Sequence, residues 1–137
     1  MSESAPLAVV FEDSATLALQ LTRMLAELGF AVQVCDPSLP NLPLQPVPAL
    51  ICVELLGAGS NGFKLLRQLA ARHACPRVLL TATGRSTDHN WGRRAGATAV
   101  LQRPFTLQQV RACVLPVLQH GKVHGYETQQ EQQELHS

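Results

Sequence analysis

The chain has 137 residues, 46% of them hydrophobic, with eleven Lys and Arg against ten Asp and Glu. That length supports one domain burying roughly two thirds of its unfolded surface, and no apolar run approaches the roughly 20 residues of a membrane span. Charge spread along a near-neutral chain, without a basic stripe, argues against nucleic acid as a direct partner, and the lack of a span argues against a membrane.

Residues 1–6 carry Glu3 and no base, without the positive start and apolar stretch of a signal peptide, so a flexible N-terminus and a cytoplasmic location are expected. Leu7 to Phe11 (LAVVF) reads as a strand covered on both faces. Ser14 can cap a helix with Leu17, Leu21, Met24, Leu25 and Leu28 on its inner side, ending at Gly29. Residues 30–35 form a second strand and 50–53 a third, which runs straight into Glu54. Gly62 to Arg72 is a second helix with Phe63, Leu65, Leu66 and Leu69 inward. A fourth strand spans Arg77 to Thr81, a short helix 87–95, a fifth strand Ala99 to Gln102, and a last helix runs from Leu107 to about residue 119.

Two segments depart from this alternation. The stretch DPSLPNLPLQPVPA has prolines at 37, 40, 43, 46 and 48 where a helix is due, and each interior proline costs a helix about 3 kcal/mol. An extended crossover is expected, with Pro37, Pro40, Pro43 and Pro46 on one polyproline ridge and Leu39, Leu42 and Leu44 elsewhere. The crossover reads first as a loop in place of a helix and second as a docking surface. The tail from residue 121 is rich in Gln and Glu, which suits disorder or a solvated helical extension, and Gly121 and Gly125 argue for a stop before it. Pro116 predicts a kink or an early end in the last helix.

Strands alternating with helices give a parallel sheet with helices on both faces, and ligands of such sheets gather at the carboxyl ends of the strands. Glu12 and Asp13, Glu54, Thr81 and Arg103 follow four different strands there. Taken singly, each has an ordinary structural role, such as helix capping by the two acids. Taken together, they describe a site. Cys35, Cys52, Cys75 and Cys113 lack metal-ligand spacing and read as reduced residues, mostly in the core, with any disulfide left to geometry. His73, His89, His120, His124 and His136 are expected at the solvated surface.

The segments VVFEDSA (9–15), the strand ending at Glu54 with Gly62 eight residues on, LLTA (79–82) and AGATAVLQRPF (95–105) resemble the CheY-like receiver domains of bacterial two-component response regulators. The resemblance covers residues 7 to about 118. It implies a doubly wound α/β fold with five parallel strands in the order 2-1-3-4-5, the second helix replaced here by the proline-rich crossover. Residues 7–120 would then form a degenerate receiver. The segment TDHNWGRRAGA (87–97) looks most like single-domain receivers of twitching-motility chemosensory systems.

In receivers an aspartate ending the third strand takes a phosphoryl group from a histidine kinase, with Mg²⁺ held by the acids after the first strand. The resemblance makes Glu54 the phosphoacceptor equivalent, Glu12 and Asp13 the acidic pocket, Thr81 the switch hydroxyl and Arg103 the cation in place of lysine. It puts Val100 at the aromatic switch position and Ala58 at a loop proline. Glu exceeds Asp by one methylene, about 1.5 Å, and a misplacement of about 1 Å in reacting atoms costs on the order of a hundredfold in rate. Phosphotransfer is thereby disfavoured, while the longer carboxylate can stand in for a phosphoryl oxygen and be gripped by Arg103 through two parallel bonds. Three acids against one arginine leave excess negative charge, so either a cation binds at Asp13 and Glu54 or one acid holds a proton. No cofactor is required on this reading, and Mg²⁺ keeps a place.

Three functions follow. A degenerate receiver would bind a protein partner without phosphorylation, through the face of the 87–95 helix, the fifth strand and the last helix. Trp91, Arg93, Arg94, Gln102 and Phe105 are its interface candidates. The partner would be a histidine kinase, a chemosensory component, a downstream effector or a second copy in a homodimer. The alternative is a working receiver with Mg²⁺-dependent phosphotransfer onto an acid of the pocket. A generic anion-binding domain has the least support, because FEDSA lacks the glycines of a phosphate turn.

Overall fold

The computed structural model describes residues 5–38, 40–57, 60–82 and 84–123. Residues 1–4, Leu39, Ala58 and the 124–137 tail, with His124 and His136, lie outside the described residues. The elements are β1 (Leu7–Phe11), α1 (Ala15–Glu27), β2 (Ala31–Cys35), β3 (Leu50–Glu54), β4 (Leu56–Gly57), β5 (Ser60–Asn61), α2 (Gly62–Arg72), β6 (Arg77–Thr81), α3 (Ser86–Ala95), β7 (Ala99–Gln102) and α4 (Leu107–Val123).

Five strands form one parallel sheet in the order β2-β1-β3-β6-β7, the expected 2-1-3-4-5 arrangement. β4 and β5 pair as a small antiparallel hairpin that the apolar pattern did not announce. Alternation along the central strands feeds two apolar layers. Val9, Phe11, Ile51, Val53 and Leu79 meet Leu65, Leu66 and Leu69 of α2 and Ala95 of α3. Ala8, Val10, Leu50, Cys52, Val78 and Leu80 meet Leu21 and Leu25 of α1 and Val110 and Val114 of α4. All five residues of β3 are buried, as a strand covered on both faces requires.

The helix starts follow local chemistry. Ser14 Oγ accepts from the Leu17 N–H at 3.3 Å and opens α1 as expected. Asn61 Oδ1 accepts from the N–H groups of Phe63 and Lys64 at 3.0 and 3.2 Å and opens α2.

The described part of the crossover contains neither helix nor strand. It is not a polyproline ridge: the chain bends at 42–43 and 45–46, and Pro37 is buried while Pro43 and Pro46 are exposed. Leu44 drops into the core, and its N–H donates to His73 Nε2 at 3.0 Å. His73 is therefore buried at the end of α2, contrary to the surface position expected of it, because it supplies the acceptor for a buried crossover amide. His89 is half-buried as well.

α4 passes through Pro116 and continues to Val123, so the helix ends neither at the proline nor before Gly121. A proline removes one helical hydrogen bond, and the buried Val110 and Val114 before it and the partly buried Val117 after it hold the segment against the sheet. All four cysteines are free: Cys52 is buried, and Cys35, Cys75 and Cys113 are half-buried.

Candidate functional site

The strand register places the candidate residues along one edge. Phe11 lies beside Val53, Glu54 beside Leu80, and Thr81 beside Gln102, so Glu12, Glu54, Thr81 and Arg103 reach the same carboxyl end of the sheet. The backbone closes around them, with the N–H of Arg103 donating to Thr81 O at 2.7 Å and that of Leu55 to Leu80 O at 2.8 Å. Thr81 is buried and Asp13 exposed.

Arg103 is the centre of the cluster. Its Nη2 lies 2.7 Å from Glu12 Oε1 and 3.4 Å from Glu54 Oε2, with side-chain exposures of 13% for Arg103, 2% for Glu12 and 9% for Glu54. One nitrogen therefore serves two carboxylates, and the shorter contact goes to Glu12. The expected two-bond grip on Glu54 is not made, because Glu12, just after β1, makes the shorter contact with the same nitrogen. The other oxygen of Glu12 accepts from the Ser14 N–H at 3.1 Å. The guanidinium carbon stands 5.2 Å from the centre of the Phe105 ring, while the buried Nε has no hydrogen-bond partner among the described residues.

Burial raises the Glu54 carboxyl above its ordinary value; Arg103 opposes that shift, and the charges of Glu12 and Asp13 add to it. The residues as arranged do not fit Mg²⁺. A guanidinium already pairs with both buried carboxylates, and no group of three His, Cys, Asp or Glu able to hold a metal occurs among the described residues.

Gly62 seats the site against α2. Its N–H donates to Leu55 O at 3.0 Å, and a Cβ there would stand 2.7 Å from the carbonyl oxygen of Glu54 and the Cα of Leu55. Only glycine allows this approach. Val100 is half-buried against the α2 and α3 layer. Of the interface candidates, Arg93, Arg94 and Gln102 are exposed and Trp91 is 50% exposed, with Arg94 5.8 Å above its ring. Phe105 instead packs against the α1 and α4 layer beneath Arg103, so it is not a free interface residue.

A doubly wound parallel sheet with an acid, hydroxyl and cation cluster at its carboxyl edge defines a receiver-type signalling domain. Comparison with known proteins gives the same class. The chain is 35% identical over 114 residues to the transcriptional regulatory protein CreB of Escherichia coli, covering 81% of this chain and 50% of CreB, so it spans about half the length of that relative. It is 32% identical over 115 residues to protein PilH of Pseudomonas aeruginosa, covering 80% of this chain and 95% of PilH. Among solved structures, the BeF3-activated DrrB receiver domain superposes with a TM-score of 0.75 at 19% identity, covering 85% of this chain and 99% of that domain. A putative response regulator from Chloroflexus aurantiacus gives 0.72 at 24%, covering 84% and 98%. No protein-family model matches the chain. The chain belongs to the receiver family of two-component response regulators.

Proposed function

We propose that the chain is an atypical receiver that acts in bacterial signal transduction by binding a protein partner without being phosphorylated, Glu54 standing in the place of the phosphoacceptor aspartate. The observation that carries this is the sharing of Arg103 Nη2 between Glu12 and Glu54. A receiver that switches must leave its reactive carboxylate open to an incoming phosphoryl group and its cation site open to a metal. Here both buried carboxyl groups already contact the one guanidinium of the chain itself. Half-buried Val100 offers no aromatic ring to report a movement of Thr81. The output is then a fixed conformation read by a kinase, a chemosensory component or a downstream effector. Similarity across nearly all of PilH, together with the 87–97 segment, supports a place beside the twitching-motility chemosensory receivers.

The test is incubation of the full chain with acetyl phosphate and Mg²⁺, followed by intact mass and peptide mapping. No adduct is expected. A stable gain of one phosphoryl group on Glu54, Glu12 or Asp13 would replace this reading with that of a working phospho-receiver.

A further inference from the structure

The near-neutral total hides a strong segregation of charge. Residues 55–126 carry ten Lys and Arg against one acid, Asp88, while residues 1–54 carry one base, Arg23, against six acids. The scattered distribution suggested by the total is therefore not what the chain has.

Some of these bases are engaged elsewhere. Arg77 donates to the carbonyls of His73, Cys75 and Gly96, and Arg103 belongs to the acid cluster. Arg111 lines a groove with Glu27 and Leu28 of α1, on the opposite side of the sheet. Lys64, Arg67, Arg72, Arg85, Arg93 and Arg94 are all exposed on α2, α3 or their ends. These helices lie side by side over one apolar layer, and a Cβ on Gly96 would stand 2.7 Å from the Cβ of Ala70. Helical spacing turns Lys64 and Arg67 away from buried Leu65 and Leu69, and Arg94 away from buried Gly92, while Trp91, one turn before buried Ala95, remains half exposed. The single acid in this region, Asp88, is half-buried. Exposed bases therefore line α2, α3 and their ends, with one large exposed aromatic residue on α3.

We propose that the α2 and α3 face is a docking surface for an acidic segment of a partner protein, with Trp91 as the apolar anchor and Lys64, Arg67, Arg93 and Arg94 as its counter-charge. This rests on the protein-binding reading above and moves the contact to α2 and α3, away from β7 and α4. Charge complementarity selects an acidic partner. Tryptophan and arginine are the residues that concentrate binding energy in protein interfaces, and a guanidinium meets a carboxylate through two parallel bonds. Arg94 covers one face of the Trp91 ring, which favours an apolar side chain at the ring edge over a stacked nucleobase.

Trp91 is the only tryptophan, so its emission reports on this face directly. The full chain is titrated with a peptide of five Glu-Glu-Leu repeats, its Lys-Lys-Leu counterpart and a single-stranded oligothymidylate, each with and without acetyl phosphate and Mg²⁺. The acidic peptide is expected to bind and shift Trp91 emission. Arg93→Glu with Arg94→Glu should weaken that binding by about tenfold or more, and Trp91→Ala, followed by peptide anisotropy, by about tenfold. Circular dichroism confirms that the variants fold, and Arg23→Glu with Arg111→Glu, the same change of charge on the α1 and α4 side, controls for net charge. Equal binding of the acidic and basic peptides, or no effect of the double reversal beyond that of this control, overturns the proposal. Tighter binding of the oligonucleotide than of the acidic peptide overturns the choice of a protein partner. A phosphoryl adduct without any change in peptide affinity would defeat the phosphorylation-independent reading and leave the basic face standing.

Discussion

Arg103 places its shorter contact on Glu12, and this ranks the two buried acids by what each does for the fold. Glu12→Gln leaves a largely buried guanidinium facing a neutral acceptor at its shorter contact, and is expected to cost about 1.5–3 kcal/mol in urea unfolding. Glu54→Gln should behave differently. Below the ordinary glutamate value of 4.5, Glu54 is protonated whether the chain is folded or not, and burial exacts no charge penalty. As pH rises through the raised folded value, the unfolded chain releases its proton more readily than the folded one, and stability falls. Glu54→Gln should remove that decline, matching or exceeding the wild type at pH 7 while gaining nothing at pH 4. A variant markedly less stable than the wild type at pH 7 would make Glu54 a net stabilising partner of Arg103. The cluster's membership was legible because polar residues ending apolar strands are conspicuous. The choice of Glu12 over Glu54 was not, since it depends on how far side chains reach across neighbouring strands.

The crossover carries its own constraint at the level of elements. The Leu44 N–H is buried and its acceptor is His73 Nε2, so the proline-rich segment is clipped to the end of α2. His73→Leu keeps the bulk and deletes the acceptor, and is expected to cost about 1–3 kcal/mol. His73→Gln, which restores an acceptor, should recover part of that. Equal stability of the Leu variant and the wild type would mean that the amide finds water instead. The five strands of the sheet and the cap at Ser14 could be read from local chemistry, and so could the absence of a helix among the prolines. The path of the crossover could not, because the burial of Pro37 and Leu44 and the exposure of Pro43 and Pro46 are set by the sheet face beneath them. The passage of α4 through Pro116 likewise reflects packing outweighing a single lost hydrogen bond.

For the molecule as a whole, the parallel order and two-layer core follow from the alternation of elements, and the separation of charge was open to inspection in the sequence, although the near-zero total concealed it. One consequence of the helix-free crossover concerns time. Every residue of β3 is buried, whereas none of β2 is, and Val34 is 46% exposed. β2 forms one margin of the sheet, paired to β1 alone. Its amides can exchange through a local opening that leaves the rest of the sheet intact, while those of β3 and β6 wait for global unfolding. Deuterium uptake followed by mass spectrometry should show peptides covering 31–48 labelled well before those covering 50–55 and 77–81. Equal protection would mean that the His73 clip couples the crossover to the full cooperativity of the domain. With the expected gradient, the molecule consists of a durable centre and a margin that samples the open state many times in the life of one folded chain.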